Sequence, residues 1–235
     1  MSRWGMAIDL SKCVGCQACS AACSMENTRL PGENWHKVIF MNEGEGGTKK
    51  FTWYPRPCQH CTDAPCTKVC PVRATWKRKE DGVVLINWYK CLGCRYCVLA
   101  CPYGVRCYPE TKPLLEPDLR EVYHGHRRAK LWDPPYQLSR EEQDGKRGTG
   151  IPPKGVVTKC TFCAHRTDRK EMAPDRDPVK DRDFTPACVI ACPAAARYFG
   201  DIDNPESEVS KRVQRKGAYR LREELGTKPQ VFYVK

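Results

Sequence analysis

The sequence predicts an α+β protein built from two small modules of short strands and short helices, with loop insertions and a C-terminal extension. Three observations predict it. The 235-residue chain has 17 cysteines, which fall into four tight groups with one left over. The segments around those groups repeat one another. The stretches between them read as short strands.

The strands come from alternating or β-rich runs. "WGMAIDL" (4–10) leads into the first cysteine group, and "GVVTKC" (155–160) leads into the fourth. "ATWKRKEDGVVLI" (74–86) reads as a hairpin, with Asp81-Gly82 as its turn signal. The helices come from the groups themselves. Their third and fourth cysteines are four residues apart, a spacing that shares one face of a helical turn, and "SAA", "VLA" and "VIA" between them suit a short helix. Residues 109–155 and 164–187 are rich in charge, with proline and glycine in the first, and read as loops. A solvated helix is expected over 205–216, followed by the extended "KPQVFYV".

Composition narrows the function classes. The chain is 40% hydrophobic and 29% charged, and no apolar run approaches the roughly 18 residues of a membrane span. The start, "MSRWGMAIDL", lacks a secretory or twin-arginine pattern. Dense cysteines in a small secreted domain signal disulfides, but here the chain is long, the count is odd and the spacings repeat. Metal binding is the better reading.

The four groups are Cys13, Cys16, Cys19, Cys23; Cys58, Cys61, Cys66, Cys70; Cys91, Cys94, Cys97, Cys101; and Cys160, Cys163, Cys188, Cys192. Cys107 is left over and is read as a buried strand residue, not a ligand. Zinc sites use two CxxC pairs to make one tetrahedron. CxxCxxC does something else: three close thiolates take three corners of an iron–sulfur cubane. In two-cluster ferredoxins the C-x2-C-x2-C-x3-C-P run sends its fourth cysteine to the other cluster. The third motif matches that run through Pro102. The first has the same spacing but ends Cys23-Ser24, the second has a longer middle step, and the fourth carries a long loop. Sixteen ligands in four complete sets predict four [4Fe–4S] clusters.

Twenty residues separate the second and third motifs, enough for the hairpin. They form an inner ferredoxin-like two-cluster module over 52–108. Cys58, Cys61, Cys66 and Cys101 hold one cluster there, and Cys91, Cys94, Cys97 and Cys70 the other. The first and fourth motifs are left for an outer module, 1–51 plus 156–203. Cys13, Cys16, Cys19 and Cys192 then hold one cluster, and Cys160, Cys163, Cys188 and Cys23 the last. Spacing alone argues this outer pairing less strongly. The repeat supports it: "IDLSKCVGCQAC" aligns with "INWYKCLGCRYC", and "CPVRATW" with "CPAAARY" and "CPYGVRCY". An insertion (109–155) and an extension (204–235) complete the division.

The formal charge of +12 would invite a nucleic-acid reading. Four oxidised cubanes with their thiolates contribute about −8, so the loaded chain is near +4 and the basic excess offsets its own clusters. His60 and His165 adjoin ligands and could hydrogen-bond to sulfur, though a polar loop role is the plainer reading. His124, His126, Arg127 and Arg128 form a basic knot in the insertion, and Trp76, Trp88 and Tyr96 exclude water near cysteines. "GEGG" (44–47) reads as a turn. No nucleophile–base motif, phosphate-binding loop or dinucleotide fingerprint is present.

"MAIDLSKCVGCQACSAACSMEN", "CQHCTDAPCTKVCP", "CLGCRYCVLACPYGVR", "KCTFCAHR" and "PACVIACPAAARYFGDIDNPES" together resemble the iron–sulfur (B) subunits of complex iron–sulfur molybdoenzymes. The likeness covers nearly the whole chain. It is greatest to the iron–sulfur subunits of polysulfide, arsenate and tetrathionate reductases, with those of dimethyl sulfoxide reductases more distant. The resemblance implies the pairing of first with fourth motif. It implies a large catalytic partner carrying molybdenum or tungsten on a pterin guanine dinucleotide, and an integral-membrane quinone-binding partner. It places the outer module against the catalytic subunit, and the cluster of Cys91, Cys94, Cys97 and Cys70 toward the membrane. The chain is then a non-catalytic electron-transfer subunit, held peripherally by its partners, on the periplasmic face if it is co-exported with the catalytic subunit and on the cytoplasmic face as the alternative. A free soluble polyferredoxin and a zinc-rich nucleic-acid module are the rival readings.

Overall fold

A computed structural model describes residues 2–27, 33–43, 50–108, 155–168 and 181–235. The predicted basic knot, the "GEGG" stretch and most of the 109–155 insertion lie outside these residues.

Strand β1 (Trp4–Asp9) is buried along its whole length. It is the middle strand of a three-stranded sheet, between β6 (Arg197–Asp201) and β7 (Val231–Val234), and a strand covered on both faces carries apolar residues without alternation. Its neighbour β6 (Arg197–Asp201) runs antiparallel, with Ile8 opposite Arg197 and Trp4 opposite Asp201. The first motif leaves the end of β1 and the fourth enters β6, so this one pairing joins the first and last cysteine groups across the chain. Gly5 lets the strands close up: a Cβ there would lie 2.4 Å from Ile202 and 2.9 Å from the Gln230 carbonyl.

Two hairpins follow. β2 (Lys37–Glu43) pairs with β3 (Lys50–Arg56). β4 (Thr75–Lys77) pairs with β5 (Val84–Ile86), with Thr75 opposite Ile86. This second hairpin is the one expected around Asp81-Gly82, and Gly82 takes the left-handed φ of 74° that a tight turn uses. It joins the second motif to the third.

Helices sit within the cysteine groups: α1 (Ala18–Glu26), α2 (Pro65–Lys68), α3 (Tyr96–Leu99), α4 (Ala164–Thr167) and α5 (Ala187–Ile190). Only α1 carries both its third and fourth cysteine, Cys19 and Cys23. The other groups end their helix before the fourth, contrary to expectation. Cys70, Cys101 and Cys192 each precede a proline, which disfavours helical dihedrals at the residue before it. Cys23 precedes Ser24, and there the helix continues. α1 packs against α5, and α2 against α3.

The expected tail helix is shorter, α6 (Glu208–Val213), capped by the Ser207 hydroxyl accepting from Ser210 N–H at 3.1 Å. The last segment is structural. β7 (Val231–Val234) runs parallel to β1, all four residues buried. The tail also straps the second motif. Thr62 N–H donates to Lys228 O at 2.8 Å, Gln230 N–H to Gln59 O at 2.8 Å, and the Tyr233 hydroxyl to Pro55 O at 2.9 Å. No helix among the described residues is long and apolar enough to cross a membrane.

Candidate metal centres

The four cysteine groups share a backbone device. The residue before the second cysteine is left-handed in every one: Gly15 (φ 69°), His60 (43°), Gly93 (68°) and Phe162 (57°). Such a residue reverses the chain sharply, which a two-residue spacer needs if both thiols are to face one space. Glycine is required at the two tightest turns. A Cβ would lie 2.2 Å from the Trp53 ring at Gly15 and 2.0 Å from Gly155 O at Gly93. His60 and Phe162 adopt the same turn at a cost of roughly 1–2 kcal/mol each. They are held there by stacking on one another, centroids 3.8 Å apart, and by Val84 N–H donating to His60 Nδ1 at 3.1 Å. His60 is fully buried, so the polar-loop reading of it is corrected. Burial, then Lys159 and Arg106, push its pKa well below the usual value and keep it neutral.

Beyond the fourth cysteine the device repeats. Arg73, Gly104 and Ala195, each three residues on, are left-handed. The next amide then points back at sulfur: Ala74 N–H to Cys70 Sγ at 3.1 Å, and Ala196 N–H to Cys192 Sγ at 3.4 Å. Phe162 N–H similarly faces Cys160 Sγ at 3.4 Å. Amides aimed at sulfur favour the thiolate that a metal requires.

The charge interactions among the thiols show which groups are brought together. The Cys61 thiol is pushed up to about 12 by burial, and then by Cys58, Cys66 and Cys101. Those four line a cavity of about 320 Å³, open mouth included, together with Tyr103 and Arg106. Cys97 is pushed up by burial, against Arg106, with Cys91 and Cys70 adding to the rise. Cys13 is raised by burial and by Cys19 and Cys192. Cys163 is raised well above normal by burial, then by Cys188 and Cys160. Cys23 lies on α1 one turn before Asn27, whose amide donates to its carbonyl at 2.9 Å. α1 is clamped to the fourth motif by Glu26, which accepts from Arg166 Nε and Nη2 at 2.6 Å each and contacts His165 Nε2 at 2.6 Å. His165 therefore takes part in this clamp. Cys16 and Cys94 are the exposed members of their groups.

The sets also lie within electrostatic reach of one another in series. Cys188 feels Cys19 and Cys192, and Cys160 feels Cys58. Arg106 feels Cys66 and Cys58 on one side and Cys97 on the other.

This donor set suits an iron–sulfur cubane. Buried thiols crowded together resist ionising, and a bound cation removes that penalty by taking the thiolate. Buried guanidinium atoms also face the thiols with no hydrogen-bond partner: Arg106 Nη2, Arg197 Nε and Arg197 Nη1. A sulfide-bearing anion fits both findings.

Cys107 departs from expectation. It is half-buried and forms an isolated antiparallel bridge with Thr158, their amides exchanging bonds at 2.9 and 2.8 Å, and among the described residues no strand extends from it. The chain turns into the fourth motif two residues after Thr158, so the ladder has no room to grow. Trp88 is buried as expected, while Tyr96 is exposed at its helix. No sequence signal marked Tyr103 and Thr227, whose hydroxyls meet at 2.5 Å beside Cys61. They come from distant segments, and only the docked tail brings them together.

Residues 12–74 and 49–116 each match a 4Fe-4S dicluster domain. The chain is 39% identical to the arsenate respiratory reductase iron–sulfur subunit ArrB of Shewanella sp. strain ANA-3, over 99% of this chain and 96% of that protein. It is 38% identical to the iron–sulfur cluster-binding subunit of menaquinone reductase from Nitratidesulfovibrio vulgaris, over 99% and 88%. It is also 38% identical to a Halobacterium salinarum protein named as an iron–sulfur subunit of dimethyl sulfoxide reductase, over 100% and 79%. That last likeness equals the others, so dimethyl sulfoxide reductase subunits are no more distant, contrary to what the motifs alone imply. With near-complete coverage at these identities, the chain belongs to the iron–sulfur subunits of respiratory molybdoenzyme-type oxidoreductases, electron-transfer proteins that are not catalytic on their own.

Proposed function

We propose that this chain carries four [4Fe–4S] clusters in a single line and relays electrons between two partner subunits. The sets are those expected from the motifs: Cys13, Cys16, Cys19, Cys192; Cys160, Cys163, Cys188, Cys23; Cys58, Cys61, Cys66, Cys101; and Cys91, Cys94, Cys97, Cys70. Each bound cluster supplies a one-electron site. The residues of this chain fix spacing, exclude water and set the local charge. The first and second sets make the outer module (1–51 plus 156–203), and the third and fourth the inner module (52–108).

The observation that carries this reading is the order of exposure along the line of neighbouring sets. The second and third sets have buried thiols at Cys160, Cys163 and Cys188 and at Cys58, Cys61 and Cys66. The two end sets each offer one exposed cysteine, Cys16 and Cys94. A relay needs insulated middle stations and two accessible ends. Around Cys94 three large apolar side chains stand exposed beside Lys90 and Arg95: Leu92, Tyr96 and Leu99 are 69%, 59% and 82% exposed. That suits a partner interface.

By the family resemblance, the Cys16 end faces a large catalytic subunit with molybdenum or tungsten on a pterin guanine dinucleotide. The Cys94 end faces an integral-membrane subunit that handles quinone. The chain is peripheral, held on the outer face of the cytoplasmic membrane by those partners. Cys91→Ser in the intact complex tests the order. Quinone-linked turnover should fall at least tenfold, while activity with an artificial donor reaching the catalytic subunit stays within twofold. Equal loss in both assays, with the complex assembled, would contradict the assignment.

A further inference from the structure

Three cations are buried among the sixteen cysteines. Arg106, Lys159 and Arg197 are 6%, 2% and 4% exposed. Among the described residues none of the three forms an ion pair with a carboxylate. Isolated buried charge is strongly unfavourable, so a buried cation is normally paired.

Their places follow the repeat. Arg106 and Arg197 each stand five residues after a fourth cysteine, Cys101 and Cys192. The equivalent residue after Cys70 is Thr75, and Arg106 Nη1 donates to its hydroxyl at 3.3 Å. Arg197 Nη2 lies 3.2 Å from Met6 Sδ. These contacts leave Arg106 Nη2 and Arg197 Nε and Nη1 unsatisfied. Lys159 is the residue before Cys160. Its ammonium donates to Cys160 O at 2.7 Å and to Val84 O of the inner hairpin, and so spans the two modules.

Each cation also faces two cysteine sets. Arg106 meets Cys66 and Cys58 of the third set and Cys97 of the fourth. Lys159 meets Cys66 of the third and Cys160 of the second. Arg197 meets Cys188 of the second and Cys19 and Cys192 of the first. Three junctions join four sets in a line, and each junction holds one cation.

We propose that Arg106, Lys159 and Arg197 are inter-cluster cations, one per junction, each raising the reduction potentials of the two clusters it separates and screening their mutual repulsion. The inference rests on the four-cluster reading above. An oxidised cubane with its thiolates carries about −2, and reduction adds one more negative charge. A fixed positive charge in a low-dielectric interior favours the reduced form on both sides. It also lowers the cost of holding electrons on adjacent stations.

The test is a redox titration of the intact complex, followed by electron paramagnetic resonance, with iron and sulfide measured in every sample. Arg106→Gln keeps donors and removes charge, while Arg106→Lys keeps charge. Arg106→Gln should lower the reduction equilibrium constants of two centres at least tenfold, about 59 mV for one electron, and leave the other two unmoved. Arg197→Gln should lower the complementary pair. Lys159→Met should move one centre from each pair. The charge-conserving Arg106→Lys and Lys159→Arg should stay near wild type. Unshifted potentials in the neutral variants at full iron content would overturn the proposal. So would iron loss in Gln and Lys variants alike, which would mark a packing role. Iron loss in Gln with retention in Lys supports it. Wild-type complex lacking four reducible centres would instead overturn the underlying reading.

Discussion

At Gly93 the backbone and the chemistry meet in one residue. Its φ of 68° and the Gly155 carbonyl 2.0 Å from a would-be Cβ leave no space for a side chain. Gly93→Ala must therefore move either the turn or the loop before the fourth motif. A left-handed alanine costs about 1–2 kcal/mol, and the clash adds to it. We expect the variant to lose one cluster, about four irons per chain, with the other sites retained. Full iron content in Gly93→Ala would show that the turn is not what positions Cys91 and Cys94. His60 and Phe162 show why a motif pattern conveys only part of such a site. Both stand where glycine stands in the other two groups, which the alignment of the groups displays. Their stacking and burial depend on contact between segments far apart in the chain, which no local pattern encodes.

At the scale of elements, local signals were legible and non-local ones were not. The hairpin of β4 and β5 follows from β-rich residues around Asp81-Gly82. The proline after three of the four groups accounts for their short helices, and its absence at Ser24 for the longer α1. The 169–180 part of the charged loop lies outside the described residues. β7 is the instructive case. "QVFYV" reads as extended, yet its role as the parallel partner of β1 and a strap over the second motif depends on where the rest of the fold leaves an open edge. Burying each of its four residues contributes roughly 1.5–3 kcal/mol, a large share of the 5–15 kcal/mol typical of a domain. Deleting residues 227–235 should therefore abolish stable cluster retention, read as iron content after anaerobic gel filtration. Retention at the level of the full chain would mean that the tail is an ornament on a core that stands without it.

Over the whole molecule, the sixteen cysteines and their four groups were legible because metal-ligand spacing is a local property of the chain. The cations between the groups were hidden among 40 lysines and arginines; Arg106 and Arg197 share a place in the repeat, but it is burial that separates them and Lys159 from the solvated majority. The line of four sets, insulated in the middle and accessible at Cys16 and Cys94, is a property of the assembled fold alone. On the proposed reading it explains how a chain that is not catalytic on its own serves an oxidoreductase: it places four redox stations. The most direct test is anaerobic determination of iron and acid-labile sulfide in the purified complex. Four cubanes predict about sixteen of each per chain of this subunit, after subtraction of clusters on its partners. Half that content, or zinc without sulfide, would contradict the relay of four.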